Sequence, residues 1–440
     1  LLGSGTKTLS NNASTTAFTI QSGVTMAAPF QLTVAGNYAN SGTFSHNQGT
    51  VFFDSSSAQG LSGNMIGTSA FATTSFYGSG TKTFSAAASS TNHFTINTNA
   101  PVVAPTLLTV GGNYTQSGTF DAGSGTVYFS SSTNQSISGT MNTGATDFAN
   151  VEFLGSGTKT LSTAASTTAF TIQSGVTVAA PSLLTIAGNY TQSGSFTDGG
   201  GTVFFSGTPT LSGTMDTATT DFASVEFLGA GTKTFANNAS TTNFTITAGA
   251  VDTPAILSIS GNYTNSGDLT TTASERMLFD GAGQTLAGQM TDTADDFADV
   301  VILGSGAKTL GANASTSALT VSAGTLDVSS RLLTVAGAFT NNSTLTTNGT
   351  SRLYFTGSGA IAGTLVDTSQ LRNVEFLASR SFSNAASTTD LVITSGTVTA
   401  PALLTIAGNY TNNGDFTDSG GTVYFSGGSA QTLGGTNAQA

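Results

Sequence analysis

The chain has 440 residues, of which 7% are charged, and its net charge at pH 7 is −12. This acidic balance argues against a nucleic-acid-binding protein, which needs a basic face, and against binding to an anionic membrane surface. The lack of cysteine excludes a disulfide framework, and no apolar run approaches the ~20 residues of a membrane-spanning helix, so we expect no membrane insertion.

The triplet Gly-Asn-Tyr recurs along the chain at intervals of 76, 76, 73, 76 and 71 residues, counting Gly337-Ala338-Phe339 as one degenerate copy. A fixed period of this kind is typical of a repeat architecture. We therefore predict one continuous array over residues 1–440, with units that begin near residues 1, 76, 153, 227, 302 and 376. The intact copies end at Tyr38, Tyr114, Tyr190, Tyr263 and Tyr410.

Each unit carries short apolar strands in a constant order. In the first unit these include Phe18-Thr19-Ile20, Leu32-Thr33-Val34 and Val51-Phe52-Phe53, which alternate as strands with one buried face do. Glycines lie between the strands, where tight bends are needed. The pattern predicts an all-β fold, a parallel β-helix (β-solenoid) of ~24 coils built from six ~75-residue repeats. A tandem array of small β-sandwiches is the structural alternative, but no linkers separate the units.

Six basic residues share one repeat position, and they allow two interpretations, a basic stripe for an acidic ligand or structural residues at a corner. Four coils would separate successive charges by ~19 Å, beyond the Debye length of ~8 Å, which favours the structural interpretation. Lys7 has the parity of the inward-pointing Leu9, but we expect the glycines to place the basic side chains outside the core. The six are Lys7, Lys82, Lys159, Lys233, Lys308 and Arg380.

Three glutamates lie between apolar residues of one strand and are therefore expected on its outer face. Each precedes the basic residue of its repeat, so weak surface ion pairs are predicted. The pairs would be Glu152 with Lys159, Glu226 with Lys233, and Glu375 with Arg380.

The densest acidic patch has neither a calcium β-roll nonapeptide nor an EF-hand loop. It is interpreted as a solvated loop, so no metal and no cofactor are predicted. Its members are Asp292, Asp295, Asp296 and Asp299.

Catalytic residues are not evident in the pattern. His46 and His93 do not recur, and the serines and threonines therefore lack a histidine base. The nearest candidate for a local catalytic cluster is Glu275-Arg276 with Arg352, which replaces turn residues in two degenerate units. We predict that the protein is not an enzyme.

The outward positions of the second strand are apolar in every unit. A stripe of apolar side chains along one face usually marks a contact, either with a neighbouring molecule or with an overlying loop of the same chain. The predicted lateral contact stripe consists of Phe52, Tyr128, Phe204, Leu278, Tyr354 and Tyr424.

The two ends of the chain are close in repeat phase. Residues 1–9 align with residues 153–161, and the tail stops roughly eight residues before the phase of Leu1. Bare coils expose strand edges, so we expect either a window of a longer array or subunits that stack head to tail. The predicted end-to-end contact consists of Leu1, Leu2, Leu433 and Ala440.

Residues 404–414, followed by 421–427, resemble the repeats of large bacterial surface and secreted proteins with β-solenoid shafts, including adhesin and haemagglutinin-like passengers. The resemblance covers the whole chain and implies an extracellular or cell-surface protein of a bacterium or archaeon. The favoured function is a structural fibre, a homopolymer with head-to-tail stacking and lateral bundling. The alternative is the stalk of a surface adhesin or carbohydrate-binding protein, with a carbohydrate or cell-surface ligand.

Overall fold

A computed structural model, which describes residues 1–144, 148–217, 222–291 and 296–437, confirms the predicted fold class. The chain is a parallel β-solenoid of about 22 turns, with 54% of its residues in strands. Contacts divide it into two compact units, Leu1–Ala223 and Ser224–Ala440. The strand Phe222–Phe227 runs across that boundary.

In the first unit the strands form three parallel faces, and the chain visits one strand of each face per turn. Face A consists of Ala13–Thr15, Gln31–Val34, Thr50–Asp54, Thr73–Tyr77, Phe94–Ile96, Tyr114–Gln116, Gln135–Gly139, Gly157–Leu161, Val176–Ala179 and Ser195–Thr197. Face B consists of Phe18–Ile20, Tyr38–Asn40, Gln59–Gly63, Lys82–Phe84, Pro101–Val103, Thr119–Asp121, the start of Ala165–Ile172, Leu183–Ile186 and Thr202–Phe205. Face C consists of Gly5–Thr8, Val24–Ala27, Thr43–Ser45, the 3-10 segment Gly67–Ser69, Ala88–Ser90, Leu107–Val110, Thr126–Phe129, Phe148–Phe153, the end of Ala165–Ile172, Tyr190–Gln192 and Thr210–Gly213.

The second unit has the same construction, again with three parallel faces. Face D consists of the start of Ala239–Ile246, Ile256–Ile259, Arg276–Phe279, Phe297–Ile302, the end of Ala314–Val321, Phe339–Asn341, Gly359–Gly363, Arg380–Phe382, Thr397–Thr399 and Asp415–Thr417. Face E consists of Lys233–Phe235, Ala250–Asp252, Asp268–Thr270, the start of Ala314–Val321, Leu332–Val335, Arg352–Phe355, Val374–Phe376, Leu391–Ile393, Tyr410–Asn412 and Leu433–Gly434. Face F consists of the end of Ala239–Ile246, Tyr263–Asn265, Gln284–Gly288, Ala307–Leu310, Thr325–Ser329, Thr344–Thr347, the 3-10 segment Asp367–Ser369, Ala386–Thr388, Leu403–Ile406 and Thr422–Phe425.

The alternating side chains fill the interior as the period-two pattern predicts. The inward phenylalanine of the second strand is fully buried in five units, at Phe53, Phe129, Phe205, Phe279 and Phe355. The sixth, Phe425, is only partly buried because its strand is the last on its face. Rings of successive turns stack; those of Phe53 and Phe76 have centroids 5.5 Å apart.

The repeat does not contain a whole number of turns. From Ala13 to Phe84 the chain passes ten strands and one 3-10 segment, and Ala88–Ser90 then repeats the role of Ala13–Thr15. Eleven positions on three faces make three and two-thirds turns, so each repeat is displaced by one face from the one before it. Turns are also longer than the sequence analysis expected; Val34 pairs with Phe53 and Phe53 with Phe76, steps of 19 and 23 residues. The count is therefore about 22 turns rather than ~24.

The recurring Gly-Asn-Tyr triplet has a structural explanation at a corner of the solenoid. A Cβ at Gly36 would lie 1.9 Å from the carbonyl oxygen of Thr16 on the preceding turn, so only glycine fits. The Oδ1 atom of Asn37 accepts a hydrogen bond from the backbone N–H of Gly60 on the following turn at 2.8 Å. Tyr38 is fully buried. Each member of the triplet thus connects or fills neighbouring turns.

Candidate functional site: interior basic residues and contact surfaces

The recurring basic residues lie inside the solenoid, which contradicts our expectation that glycines would hold them outside. Four lysines have no exposed side-chain surface, and Arg380 is 2% exposed. Lys82 pairs in register with Gln59 on one side and Val102 on the other, and both of those side chains are buried. We call these five the interior basic residues: Lys82, Lys159, Lys233, Lys308 and Arg380. Lys7, on an edge strand, is partly exposed.

Backbone carbonyl groups hold the lysine ammonium groups. The Nζ atom of Lys82 donates to the carbonyl oxygens of Gly78 at 2.6 Å and Ser55 at 3.1 Å. Lys159 donates in the same way to Ser131 at 2.9 Å and Ser156 at 2.5 Å. These carbonyls belong to corners of the same and the preceding turn, so each ammonium ties two turns together.

Burial makes the charged form of these groups less favourable. It lowers the pKa of Lys82, Lys159, Lys233 and Lys308 below the ordinary lysine value, and the carboxylates of Asp54 and Asp280 oppose this shift at Lys82 and Lys308. The same desolvation lowers the pKa of Arg380 to about 10. The hydrogen bonds to carbonyl oxygens offset part of this cost.

A buried glutamine precedes the interior basic residue by one turn in several repeats. The Nε2 atom of Gln59 donates to the carbonyl oxygens of Val34 at 2.8 Å and Gly36 at 2.5 Å. Gln284 makes the same pair of bonds to Ile259 at 2.7 Å and Gly261 at 2.5 Å. The glutamine therefore caps the corner carbonyls beside the Gly-Asn-Tyr triplet. Its occurrences are Gln59, Gln135, Gln284 and Gln431.

The degenerate repeat replaces both members of this pair. Gly359 stands where the glutamine is expected, and Arg380 stands where the lysine is expected. The longer arginine reaches the corner carbonyls itself: Nη2 donates to Val335 at 2.7 Å and Ala336 at 3.0 Å, and Nη1 donates to Gly337. Its guanidinium also lies 5.0 Å from the centre of the Phe355 ring. Arginine thus performs the capping role of the absent glutamine.

The predicted glutamate–lysine surface pairs are wrong because the basic partner is buried. Each glutamate instead accepts a hydrogen bond from a polar side chain on the next turn, with oxygen–donor distances of 2.6 to 2.7 Å. The pairs are Glu152 with Gln173, Glu226 with Thr247, and Glu375 with Thr394.

The six outward residues of the second strand do not form a single stripe. In the first unit Phe52 lies on face A, Phe204 on face B and Tyr128 on face C. The second unit shows the same dispersal. Because each repeat is displaced by one face, equal repeat positions point in three directions. In that unit Leu278 lies on face D, Tyr354 on face E and Tyr424 on face F. Five of the six are partly buried, and Tyr424 is 57% exposed.

The predicted end-to-end contact residues include exposed leucines. Leu1 is 38%, Leu2 76% and Leu433 52% exposed. Ala440 lies outside the described residues. Whether these residues meet another copy stays a prediction.

The acidic and catalytic candidates are not assembled into a site. Arg276 forms an ion pair with Asp299 at 3.1 Å, and Glu275 accepts hydrogen bonds from Thr272 and Thr253. Within the described part of the chain no group of three or more His, Asp or Glu residues could hold a metal ion; Asp292 and Asp295 lie outside it. In the same part, no helix is both long and apolar enough to cross a membrane.

Two signals in the sequence could have located the interior basic residues. Lys159 has the parity of the buried Leu161, and Gln135 and Gln284 precede a lysine by 24 residues, one turn. The weight given to charge over parity was the error. No family model matches this chain, and neither a curated protein nor a solved structure is similar to it.

Proposed function

We propose that the protein is structural, forming the shaft of an extracellular or cell-surface fibre whose subunits stack head to tail. The observation that carries the proposal is the placement of the interior basic residues. They are the charged side chains that recur with the repeat, and their hydrogen bonds go to the backbone of the shaft. A repeat that uses its recurring charge inside is adapted to hold neighbouring turns together rather than to bind a ligand.

The sheet geometry supports the assembly part of the proposal. All pairings run parallel, so the two edges of each sheet carry complementary rows of donors and acceptors. Joining unlike edges of two copies is a heterologous contact, and such contacts build open filaments when the rotation does not close a ring. Stacking in this way would continue the hydrogen-bond ladder from one copy into the next.

The test is the association state of the purified 440-residue chain over a range of concentrations. Sedimentation velocity and negative-stain imaging should show oligomers that lengthen in one dimension as concentration rises. A matched variant, Thr6→Pro, removes a backbone donor in the edge strand Gly5–Thr8 and should shorten them. Thr264→Pro, in an inner strand, is the control for misfolding.

Monomers that persist at high concentration, with no difference between the wild type and Thr6→Pro, would contradict head-to-tail stacking. That result would favour the alternative function, the stalk of a surface adhesin whose shaft does not polymerise.

A further inference from the structure

A groove of about 470 Å³ lies on the outer side of face E, across the strands Arg352–Phe355, Val374–Phe376 and Leu391–Ile393. Its volume is within the range of small-molecule sites, ~300–1,000 Å³. Tyr354 is in register with Glu375, so an aromatic ring and a carboxylate lie side by side on its floor. Both side chains are partly exposed.

Two carboxylates in the groove are held in place through one oxygen each. Oε1 of Glu375 accepts from the Thr394 hydroxyl at 2.7 Å, and Oδ1 of Asp390 accepts from the backbone N–H of Asn409 at 2.6 Å. Among the described residues, no hydrogen bond reaches the second oxygen of either carboxylate. Two acceptors are therefore oriented but available to a ligand.

Arg352 supplies donors to the same groove. Its Nη1 atom lies 3.4 Å from the hydroxyl of Tyr354. In the preceding repeat the equivalent residue, Arg276, is neutralised by Asp299 at 3.1 Å. Asn373 takes that place beside Arg352, and its amide donates to the carbonyl oxygen of Ser351 at 2.8 Å. The guanidinium of Arg352 thus lacks the carboxylate partner of its counterpart.

The combination belongs to this repeat and is not a property of the shaft. In the preceding repeat, the positions of Tyr354 and Glu375 are occupied by Leu278 and Val301. The position of Asp390 is occupied by Ala318.

We propose that this groove binds a sugar ring of a saccharide. The C–H face of a pyranose packs on the Tyr354 ring, ring hydroxyls donate to the available oxygens of Glu375 and Asp390, and Arg352 donates to a ring substituent oxygen. Only a ligand with a flat apolar face and both donors and acceptors satisfies all four groups. An anion alone would meet two carboxylates, and a cation alone would meet the arginine.

The experiment is isothermal titration of the full chain with neutral and with uronic-acid oligosaccharides. Tyr354→Leu and Asp390→Ala install the residues of the preceding repeat, so they should fold, and each should weaken binding about tenfold or more. Tyr128→Leu, which alters the equivalent tyrosine beside Glu152 in a repeat with Thr126 in place of the arginine, should leave affinity unchanged. Circular dichroism melting verifies folding.

Arg352→Thr separates the two classes of saccharide. If the ligand carries a carboxylate, Arg352→Thr should weaken binding of uronic-acid oligosaccharides and leave neutral ones unaffected. Loss of both classes would identify a hydroxyl as the group that Arg352 binds. Absence of binding to either class, or equal losses in Tyr354→Leu and Tyr128→Leu, would overturn the proposal. The proposed shaft function does not depend on this outcome, because its test measures association and not ligand binding.

Discussion

Gly359 and Arg380 lie in register on adjacent strands, and the guanidinium of Arg380 extends past Gly359 to the corner carbonyls of Val335 and Gly337 on the turn beyond. A Cβ atom at Gly359 would lie 3.0 Å from Nη1 of Arg380. The two residues are therefore matched, since a side chain at residue 359 and the arginine at residue 380 compete for one space. Elsewhere a glutamine and a lysine share the same task.

Gly359→Gln should destabilise the protein, because the glutamine collides with Arg380. Arg380→Lys should also destabilise it, because the corner carbonyls lose their donor; we expect ~1–3 kcal/mol for each change. The double variant recreates the Gln284–Lys308 pair and should recover most of the loss, a coupling of ~0.5–3 kcal/mol. Denaturant unfolding of the four proteins measures this, and additive losses would contradict the exchange of roles.

Raising the pH from 7 towards 10 should move the denaturation midpoint upward. The pKa of each buried lysine is lower in the folded state than the ordinary value of 10.5, so the unfolded chain binds more protons in that window and stability rises with pH. Above pH 10.0 the trend should reverse, since burial raises the pKa of Tyr114 and Tyr190 and only the unfolded tyrosines ionise there.

The control for this pH dependence is Lys159→Met, which removes one buried ammonium and keeps its apolar stem. The rise in the denaturation midpoint between pH 7 and 10 should be smaller than in the wild type. A midpoint that falls steadily over this interval in the wild type would show that the buried lysines do not govern the alkaline behaviour.

Phe205→Ala should cost ~3–5 kcal/mol in its own part of the stack. Phe425→Ala should cost less, because Phe425 is partly exposed while Phe205 is fully buried. Repeat stacks couple mainly to their neighbours, so hydrogen exchange should accelerate around Phe205 and stay slow near Phe53. Uniform acceleration along residues 1–223 would instead indicate a single cooperative unit.

The asparagine of the triplet can be tested by removing one and adding another. Asn113 accepts from the backbone N–H of Ser136 at 2.9 Å, and Asn113→Ala should cost ~0.5–1.5 kcal/mol. Ala338→Asn supplies the missing acceptor to Ala360, the counterpart of Ser136, and should stabilise the chain by a similar amount. Opposite shifts in melting temperature are expected, and shifts of the same sign would rule out this role.

Strand alternation was predictable because it depends only on which residues avoid water, and Phe53 and Phe129 are buried as expected. The number of turns per repeat was not, because corner segments such as Gly67–Ser69 add residues without completing a turn. Four whole coils per unit would have placed Phe52 and Tyr128 on one face. The burial of Lys159 was hidden for another reason, since its partners are backbone carbonyls, which every residue carries.

The groove could be anticipated only in part. Arg352 is visible in the sequence as a departure from the repeat, but Asp390 lies 38 residues away, and only the pairing of three successive strands brings the two together.

The three-and-two-thirds-turn repeat has a consequence for how such a chain can change over evolution. Duplicating or deleting one repeat would keep the core and its hydrogen bonds in phase, yet it would rotate every later surface feature by a third of a revolution. Three repeats make eleven whole turns, so only changes in multiples of three would preserve the direction in which a groove or a tyrosine points. Length could therefore drift by single units in a passive shaft, whereas selection for a directed surface would count in threes.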